Sequence, residues 1–147
     1  MEEFALDSFD NLLFSICRFQ QVTGRYPEKI IVTGFPFKEH RFVNLHREAI
    51  GFPRDRFEYI SSNPPTSSSS NGESGPKLDW DAIAAGELKN AAAPFRKDPF
   101  ACFDETLVSK KSLRNPYNNY HGYAASCPAM KSLFSYCTEK KLENLPW

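Results

Sequence analysis

Three side chains that can bind an anion follow a short apolar segment in the first third of the chain. Lys38, His40 and Arg41 come soon after Thr33 and Gly34, at the point where that segment ends. A hydroxyl, free backbone amides and cationic side chains can hold a phosphate or a carboxylate through charge-assisted hydrogen bonds. We therefore expect a ligand site here. The alternative is that Thr-Gly only leads the chain out of a sheet and that the cations are solvated.

A second polar group lies near the N-terminus, where Ser8, Asp10 and Asn11 occupy the start of a predicted helix. If that helix packs beside the apolar segment, these side chains point at the same crevice as Thr33 and Arg41. Helix capping is the alternative role for such residues.

Cysteine and histidine spacing argues against metal and nucleophile sites. The four cysteines include no CxxC pair, and the three histidines are not grouped with them, which is unlike a zinc site. No spacing unites His46, Cys102 and His121 as a nucleophile and its base. An acidic N-terminus and the lack of a long apolar run fit an intracellular, reducing location. We expect a cytoplasmic protein with free thiols.

Charge excludes further classes of partner. Lysine plus arginine and aspartate plus glutamate each number 18, so no global field points to nucleic acid or to a membrane surface. Basic residues do alternate with aromatic rings between Arg96 and Tyr123, as in proteins that bind single strands. Asp98, Asp104 and Glu105 dilute that pattern, and we expect no nucleic-acid binding.

The elements that position these residues are clearest in the first 61 residues. Apolar residues at helical spacing predict a helix over residues 7–23, capped by Asp7 and ended by Gly24. The β-branched run at residues 29–33 lacks polar alternation, which is typical of a strand buried on both faces of a parallel sheet. A helix over residues 37–50 and a second strand over residues 57–61 complete one strand, helix, strand unit.

The rest of the chain divides into a linker and a helical extension. Residues 61–76 contain no apolar side chain, and we expect a flexible linker over residues 62–76. Residues 77–147 form an irregular, aromatic-rich extension that packs on domain 1–61. Helices are predicted there over residues 78–95, 106–113 and 128–137.

Several of these segments together resemble a known family. The run SFDNL, then RYP, the strand IIVTG, and the later FKEHRF, LHREAIGFP and RFEYI are similar to the YdcF-like and SanA-like proteins of the domain of unknown function 218 family. The segments RNPYNNYHGY and the terminal PW resemble its fungal branch. The resemblance covers nearly the whole chain apart from the serine-rich segment.

The resemblance implies a partial Rossmann-like three-layer domain whose pocket is built from several strand ends. It carries ligand-binding roles over to Ser8, Asn11, Thr33 and Arg41. Asp10 and His40 stand near further motif positions, Asp10 in place of the family's glutamate. The family's glycine-rich strand end has no counterpart before Ser8, so we expect an N-terminally truncated form. Suggested ligands of the family are nucleotide-like, for example S-adenosylmethionine.

The leading hypothesis is a protein that binds a small anionic or nucleotide-like metabolite at the end of strand 29–33. One alternative is a noncatalytic interaction or scaffold protein, in which a partner or a second copy covers the exposed sheet edge, or a fragment that does not work alone. Another is a hydrolase or transferase that uses His40, His46 or Asp10 as its base. The sequence identifies no reaction.

Overall fold

A computed structural model describes residues 1–62, 79–134, 137 and 145–147. The predicted linker at residues 62–76 lies, apart from Ser62, outside the described residues. The end of the helix predicted over residues 128–137 does too, except for Cys137.

Helix α1, Ser8–Thr23, forms as predicted. The Asp7 side chain accepts a hydrogen bond from the Asp10 backbone amide at 2.8 Å, which caps the first turn. Gly24 ends the helix in the left-handed region, with φ of 75°, and its amide donates to the Gln20 carbonyl. Both ends of the helix are therefore fixed by local chemistry that the sequence displays.

The strand, helix, strand unit is also confirmed. Strands β1 (Ile30–Gly34) and β2 (Phe57–Ser61) pair in parallel with Val32 opposite Tyr59. Between them a 3₁₀ turn, Pro36–Lys38, leads into helix α2 over residues 39–49, whose central part, Arg41–His46, is π-helical.

Strand β1 is not buried on both faces, so that prediction is wrong. Ile30 and Val32 pack against the core, whereas Ile31 is 52 % exposed and Thr33 is exposed. The described residues form a sheet of two strands with helices against one face only. The apolar run at residues 29–33 therefore supplies one buried face and one open face. The open face is defined by Ile31 and Thr33 of β1 with their partners Glu58 and Ile60 of β2.

The C-terminal region is mostly helical. Helix α3 covers residues 80–97 and contains a π-helical part, Leu88–Ala92, just before Pro94. The extra residue of a π turn accommodates the proline, which has no amide to donate, so Pro94 does not end the helix. Helix α4 is Glu105–Arg114 and the short helix α5 is Tyr123–Ser126. Pro128–Phe134 is 3₁₀ where a longer α-helix was predicted.

Helix α1 lies at the centre of the core. Phe9 faces His46 and Phe100, and Leu12, Leu13 and Ile16 are all buried. On another side of the helix, Phe14 contacts the rings of His121 and Tyr123 at centroid distances of 4.4 and 5.4 Å. The helix is thus contacted from two sides, which agrees with the position of Phe14 away from the main apolar stripe.

All four cysteines are paired, so the expectation of free thiols is wrong. Cys17 of α1 is bonded to the buried Cys127, and Cys102 is bonded to Cys137. The first bond joins residues 110 positions apart. The sequence does not reveal this pairing because only the packing of the C-terminal region on α1 brings the sulfurs together.

Within the described residues, no helix combines the length and apolar character needed to cross a membrane.

We expect the disulfide between Cys17 and Cys127 to be a major source of stability. By chain entropy, closing a loop of this size stabilises the fold by about 4–5 kcal/mol, and the shorter loop between Cys102 and Cys137 by about 1 kcal/mol less. Urea unfolding of Cys17→Ala/Cys127→Ala and of Cys102→Ala/Cys137→Ala measures both effects. The second variant, which lacks the disulfide of the shorter loop, is the matched control. Equal stability of the oxidised and reduced wild-type protein would contradict the prediction.

Candidate functional site

Ser8 begins helix α1 and contacts a buried histidine of α2. The Ser8 Oγ lies 2.7 Å from His46 Nε2, a hydrogen bond in either tautomer of the ring. His46 is fully buried among the rings of Phe9, Phe42 and Phe95, the last at a centroid distance of 4.4 Å. Among the described residues, His46 Nδ1 has no hydrogen-bond partner. The sequence did not indicate this pair, since 38 positions separate its members.

The electrostatics of this pair favour a positioning role over proton transfer. Burial lowers the pKa of His46 well below 6.5, and the charges of Arg41 and Lys111 lower it further. Within the part of the chain that the structure describes, an imidazolium formed by taking the Ser8 proton would have no carboxylate partner and would face two cations. The hydrogen bond therefore fixes the start of α1 against α2, and the geometry does not favour His46 as a general base.

Asp10 belongs to a buried charge cluster with Asp7 and Lys111. Lys111 Nζ of α4 donates to Asp10 Oδ1 at 2.9 Å and lies 3.1 Å from Asp7 Oδ2. Asp10 Oδ2 also accepts from the Leu6 amide. Burial raises the pKa of Asp10, Asp7 raises it further, and Lys111 opposes both. The predicted ligand residue Asp10 thus holds α4 against the start of α1.

Arg41 is buried inside the fold in an ion pair with Glu87 of α3. The Arg41 Nε lies 3.0 Å from Glu87 Oε1, and both side chains are at most 13 % exposed. Burial lowers the pKa of Arg41, and the charge of Glu87 opposes the shift. Removing one member of such a pair leaves an uncompensated buried charge, so Arg41→Ala would test stability as much as binding. The predicted ligand-binding role of Arg41 stays a prediction.

The remaining predicted residues are distributed over the surface. Asn11 is exposed on α1, and Thr33 is exposed on the open face of the sheet. Among the described residues, no hydrogen bond or ion pair joins either of them to Arg41. Gly34 lies beneath Tyr59, whose hydroxyl donates to the Phe35 carbonyl at 2.7 Å. A Cβ on Gly34 would lie 2.6 Å from that hydroxyl, so the glycine permits this close approach.

A cluster of three aromatic rings follows β1 at its carboxyl end. The Phe35 and Phe37 rings stack with centroids 5.4 Å apart, and Trp80 of α3 lies 6.2 and 6.3 Å from them. The ammonium of Lys38 is 5.3 Å from the Phe35 ring centroid. Phe35 and Trp80 remain 38 % and 40 % exposed. We call this set, Phe35, Phe37, Lys38 and Trp80, the aromatic cluster.

Sequence reasoning placed Lys38 at this strand end but missed the three rings. The residues Phe35-Pro36-Phe37, directly after the strand, were a sequence signal for rings at this position. Trp80, however, comes from beyond the predicted linker, and its helical spacing indicated only a core position.

His40 lies next to the aromatic cluster on α2. Its Nδ1 is 2.9 Å from the Asn44 Nδ2, and its Nε2 is 3.1 Å from a terminal nitrogen of Arg96. Both His40 and Arg96 are exposed. The structure thus brings the predicted residue His40 together with a cation of α3 that the sequence did not connect to it.

Other features of the described residues lie elsewhere. A cavity of about 350 Å³ is lined by Phe4, Arg18 and Tyr123 among others, and none of the predicted site residues lines it. In the described part of the chain, no three histidine, cysteine, aspartate or glutamate side chains are grouped so that they could hold a metal ion.

Fold and site together define a mixed α/β protein, mostly helical, with a two-stranded parallel sheet. Over 144 residues, or 98 % of this chain, the sequence is 40 % identical to the uncharacterised protein YOR238W of Saccharomyces cerevisiae. The match covers 45 % of that relative, so the chain spans about half of its length. No protein-family model matches the sequence, and no solved structure does.

The charge cluster predicts a specific loss of stability at alkaline pH. Burial alone would lower the pKa of Lys111, but the charges of Asp10 and Asp7 and the hydrogen bonds to them outweigh it, so the pKa is raised above 10.5. Lysine at this position therefore stabilises the fold below about pH 10.5, and the stabilisation is lost as the pH rises through the folded-state pKa.

Lys111→Arg keeps its charge across this range. The test is the free energy of unfolding, measured with urea from pH 9 to 12. For the wild type we expect it to fall by about 1.4 kcal/mol more than for the variant for each unit by which folding raises the Lys111 pKa. Parallel curves for the two proteins would show that Lys111 is not coupled to the carboxylates.

Proposed function

We propose that the protein binds a small anionic or nucleotide-like metabolite at the carboxyl end of β1. The observation that carries the proposal is the aromatic cluster, three partly exposed rings with a lysine at the edge of a parallel sheet. Open α/β sheets bind ligands at this end of their strands. Aromatic rings stack on any nucleobase, and each stacked base contributes about 1–3 kcal/mol to the binding free energy.

The Lys38 ammonium beside the rings suits an anionic ligand. Among the described residues, no carboxylate pairs with Lys38 or with the neighbouring His40. The donors of the Lys38 ammonium are thus available for a phosphate or a carboxylate, whereas both ring nitrogens of His40 already contact Asn44 and Arg96. S-adenosylmethionine, with an adenine and a carboxylate, fits the same description.

The buried polar pairs fix the helices that carry the site. The contacts of Ser8 with His46 and of Arg41 with Glu87 fix α2 against α1 and α3. Helix α2 carries His40, and α3 carries Trp80, so these contacts set the distance between the two sides of the site. In this proposal Ser8, Asp10 and Arg41 position the binding elements, while Thr33 and Asn11 stay predicted contacts.

We further propose that the domain is Rossmann-like with three layers and belongs to the domain of unknown function 218 family. The open face of the sheet supports this, since Ile31 and Ile60 are 52 % and 46 % exposed. Such a face fits a second layer of helices, and the yeast relative is more than twice as long as the matched region. A noncatalytic interaction protein, with a partner on this face, is the alternative.

A dye that binds exposed apolar surface tests whether the face is open. We expect the fluorescence of 8-anilinonaphthalene-1-sulfonate to rise with the native protein, and to rise about half as much or less with Ile31→Thr/Ile60→Thr, because these side chains supply the apolar area. Leu113→Thr, at an exposed leucine of α4, is the control. The same emission from all three proteins would mean that the face is covered.

Tryptophan fluorescence tests the ligand site directly. The chain has two tryptophans, so Trp147→Phe leaves Trp80 as the reporter. We expect saturable quenching by adenosine, adenosine monophosphate or S-adenosylmethionine, because the base stacks on the indole. Calorimetry with Trp80→Ala should show affinity reduced about 5- to 150-fold.

Tyr117→Ala, at a tyrosine that is 85 % exposed and lies in another segment, is the matched control and should bind like the wild type. No heat with any of the three probes would overturn the proposal, as would equal affinity of the two alanine variants.

A further inference from the structure

The cavity at the N-terminal segment, residues 2–6, is lined by both charged groups and aromatic rings. Its volume of about 350 Å³ is at the lower end of the range of about 300–1,000 Å³ for small-molecule sites. The lining includes Glu3 and Phe4, Arg18 and Gln21 of α1, and Tyr123 of α5. None of these residues belongs to the aromatic cluster, so this cavity is separate from the proposed site at the end of β1.

Hydrogen bonds and ring packing hold the N-terminal segment in place as one wall of the cavity. The Glu2 carboxylate accepts from the Phe4 backbone amide at 2.6 Å. The Leu6 carbonyl accepts from the guanidinium of Arg114. The Phe4 ring meets the buried Tyr123 ring edge to face, with centroids 6.1 Å apart. This wall therefore belongs to the folded structure.

The wall that α1 supplies carries donors that suit a carboxylate. Arg18 and Gln21 are three residues apart and so lie on the same face of the helix. Arg18 Nη1 donates to Gln21 Oε1 at 2.6 Å, which leaves the amide nitrogen of Gln21 as a donor. In the described segments, no carboxylate forms an ion pair with Arg18, and its Nε has no hydrogen-bond partner. A carboxylate could accept charge-assisted hydrogen bonds from this pair.

The opposite charge lies on the N-terminal wall. Glu3 is exposed and, in the part of the chain that the structure describes, forms no ion pair with Arg18 or with another cation. Burial raises the pKa of Tyr123, the charges of Glu2 and Glu3 raise it further, and that of Arg18 lowers it. Glu3 and Arg18 thus both act on one hydroxyl of the lining. A cation and an anion that line one cavity without pairing complement a ligand that carries both charges.

The two rings of the lining indicate the third group of the ligand. Phe4 is 41 % exposed, although it packs on Tyr123, so part of its ring remains open to a ligand. Aromatic rings gain from offset or edge-to-face packing on other rings, beyond the apolar area that they bury. An aromatic group on the ligand matches this part of the cavity.

We propose that this cavity binds a free α-amino acid with an aromatic side chain. Arg18 and Gln21 hold its carboxylate, and Glu3 holds its ammonium group. Its ring packs beside Phe4 and Tyr123. The site goes beyond the proposed function, because it lies elsewhere and takes a ligand without a nucleobase.

Calorimetry with L-phenylalanine and three partial analogues tests the proposal. Of these analogues, 3-phenylpropionate lacks the ammonium group, 2-phenylethylamine lacks the carboxylate, and L-alanine lacks the ring. We expect L-phenylalanine to bind about tenfold or more tighter than each analogue, because each one leaves a part of the lining without its partner.

Charge variants assign the two ends of the ligand. Arg18→Gln should weaken L-phenylalanine binding about tenfold or more without weakening 2-phenylethylamine, which has no carboxylate. Glu3→Gln should weaken L-phenylalanine similarly without weakening 3-phenylpropionate, which has no ammonium group. Arg25→Gln and Glu28→Gln, at exposed charges that pair with each other outside the lining, are the matched controls and should bind as the wild type. Thermal melting of each variant monitors folding.

The outcomes are independent of the site at the end of β1. No heat with L-phenylalanine at millimolar concentration overturns the proposal. Equal affinity for L-phenylalanine and either single-charge analogue overturns the zwitterionic class, and equal affinity for L-alanine overturns the aromatic class. A loss in the control variants as large as in Arg18→Gln and Glu3→Gln assigns the effect to net charge and overturns the specific contacts. Weaker L-phenylalanine binding in Trp80→Ala would place the ligand at the aromatic cluster and overturn a separate site.

Discussion

The burial of helix α1 on two sides is the constraint on which the rest of the structure depends. One side packs through Phe9 against His46 of α2 and against Phe100, and another packs against the C-terminal region through Phe14. A two-stranded sheet alone cannot bury enough apolar surface to be stable. Because α1 contacts both parts of the chain, the segment before residue 62 and the segment after residue 79 share one core.

Buried polar contacts then fix the registration of the elements around α1. Ser8 bonds to His46, Asp10 bonds to Lys111, and Arg41 pairs with Glu87, each linking a different pair of helices. Apolar packing is tolerant of small shifts, whereas a buried charge without its partner is costly, so these pairs favour one arrangement of the helices. The surface side chains at the end of β1 take their positions from that arrangement.

Local patterns in the sequence predicted the elements well and the contacts between them poorly. Asp7, Gly24 and the apolar spacing define α1, and the Ile-Ile-Val run defines β1, because these signals act within a few residues. The open face of β1, the partner of Ser8 and the cysteine pairs depend on residues far away in the chain. Without the fold, nothing in the sequence shows that Trp80 lies beside Phe35, or that Arg96 reaches His40.

The bond between Cys17 and Cys127 has a topological consequence. It closes a covalent ring that contains both strands and helices α2 to α5, with α1 crossing the point of closure. A protease that cuts one peptide bond between these two cysteines, for example within the serine-rich segment, opens the ring without dividing the molecule. The nicked protein keeps its mass on a non-reducing gel and separates into two pieces only when the sulfurs are reduced.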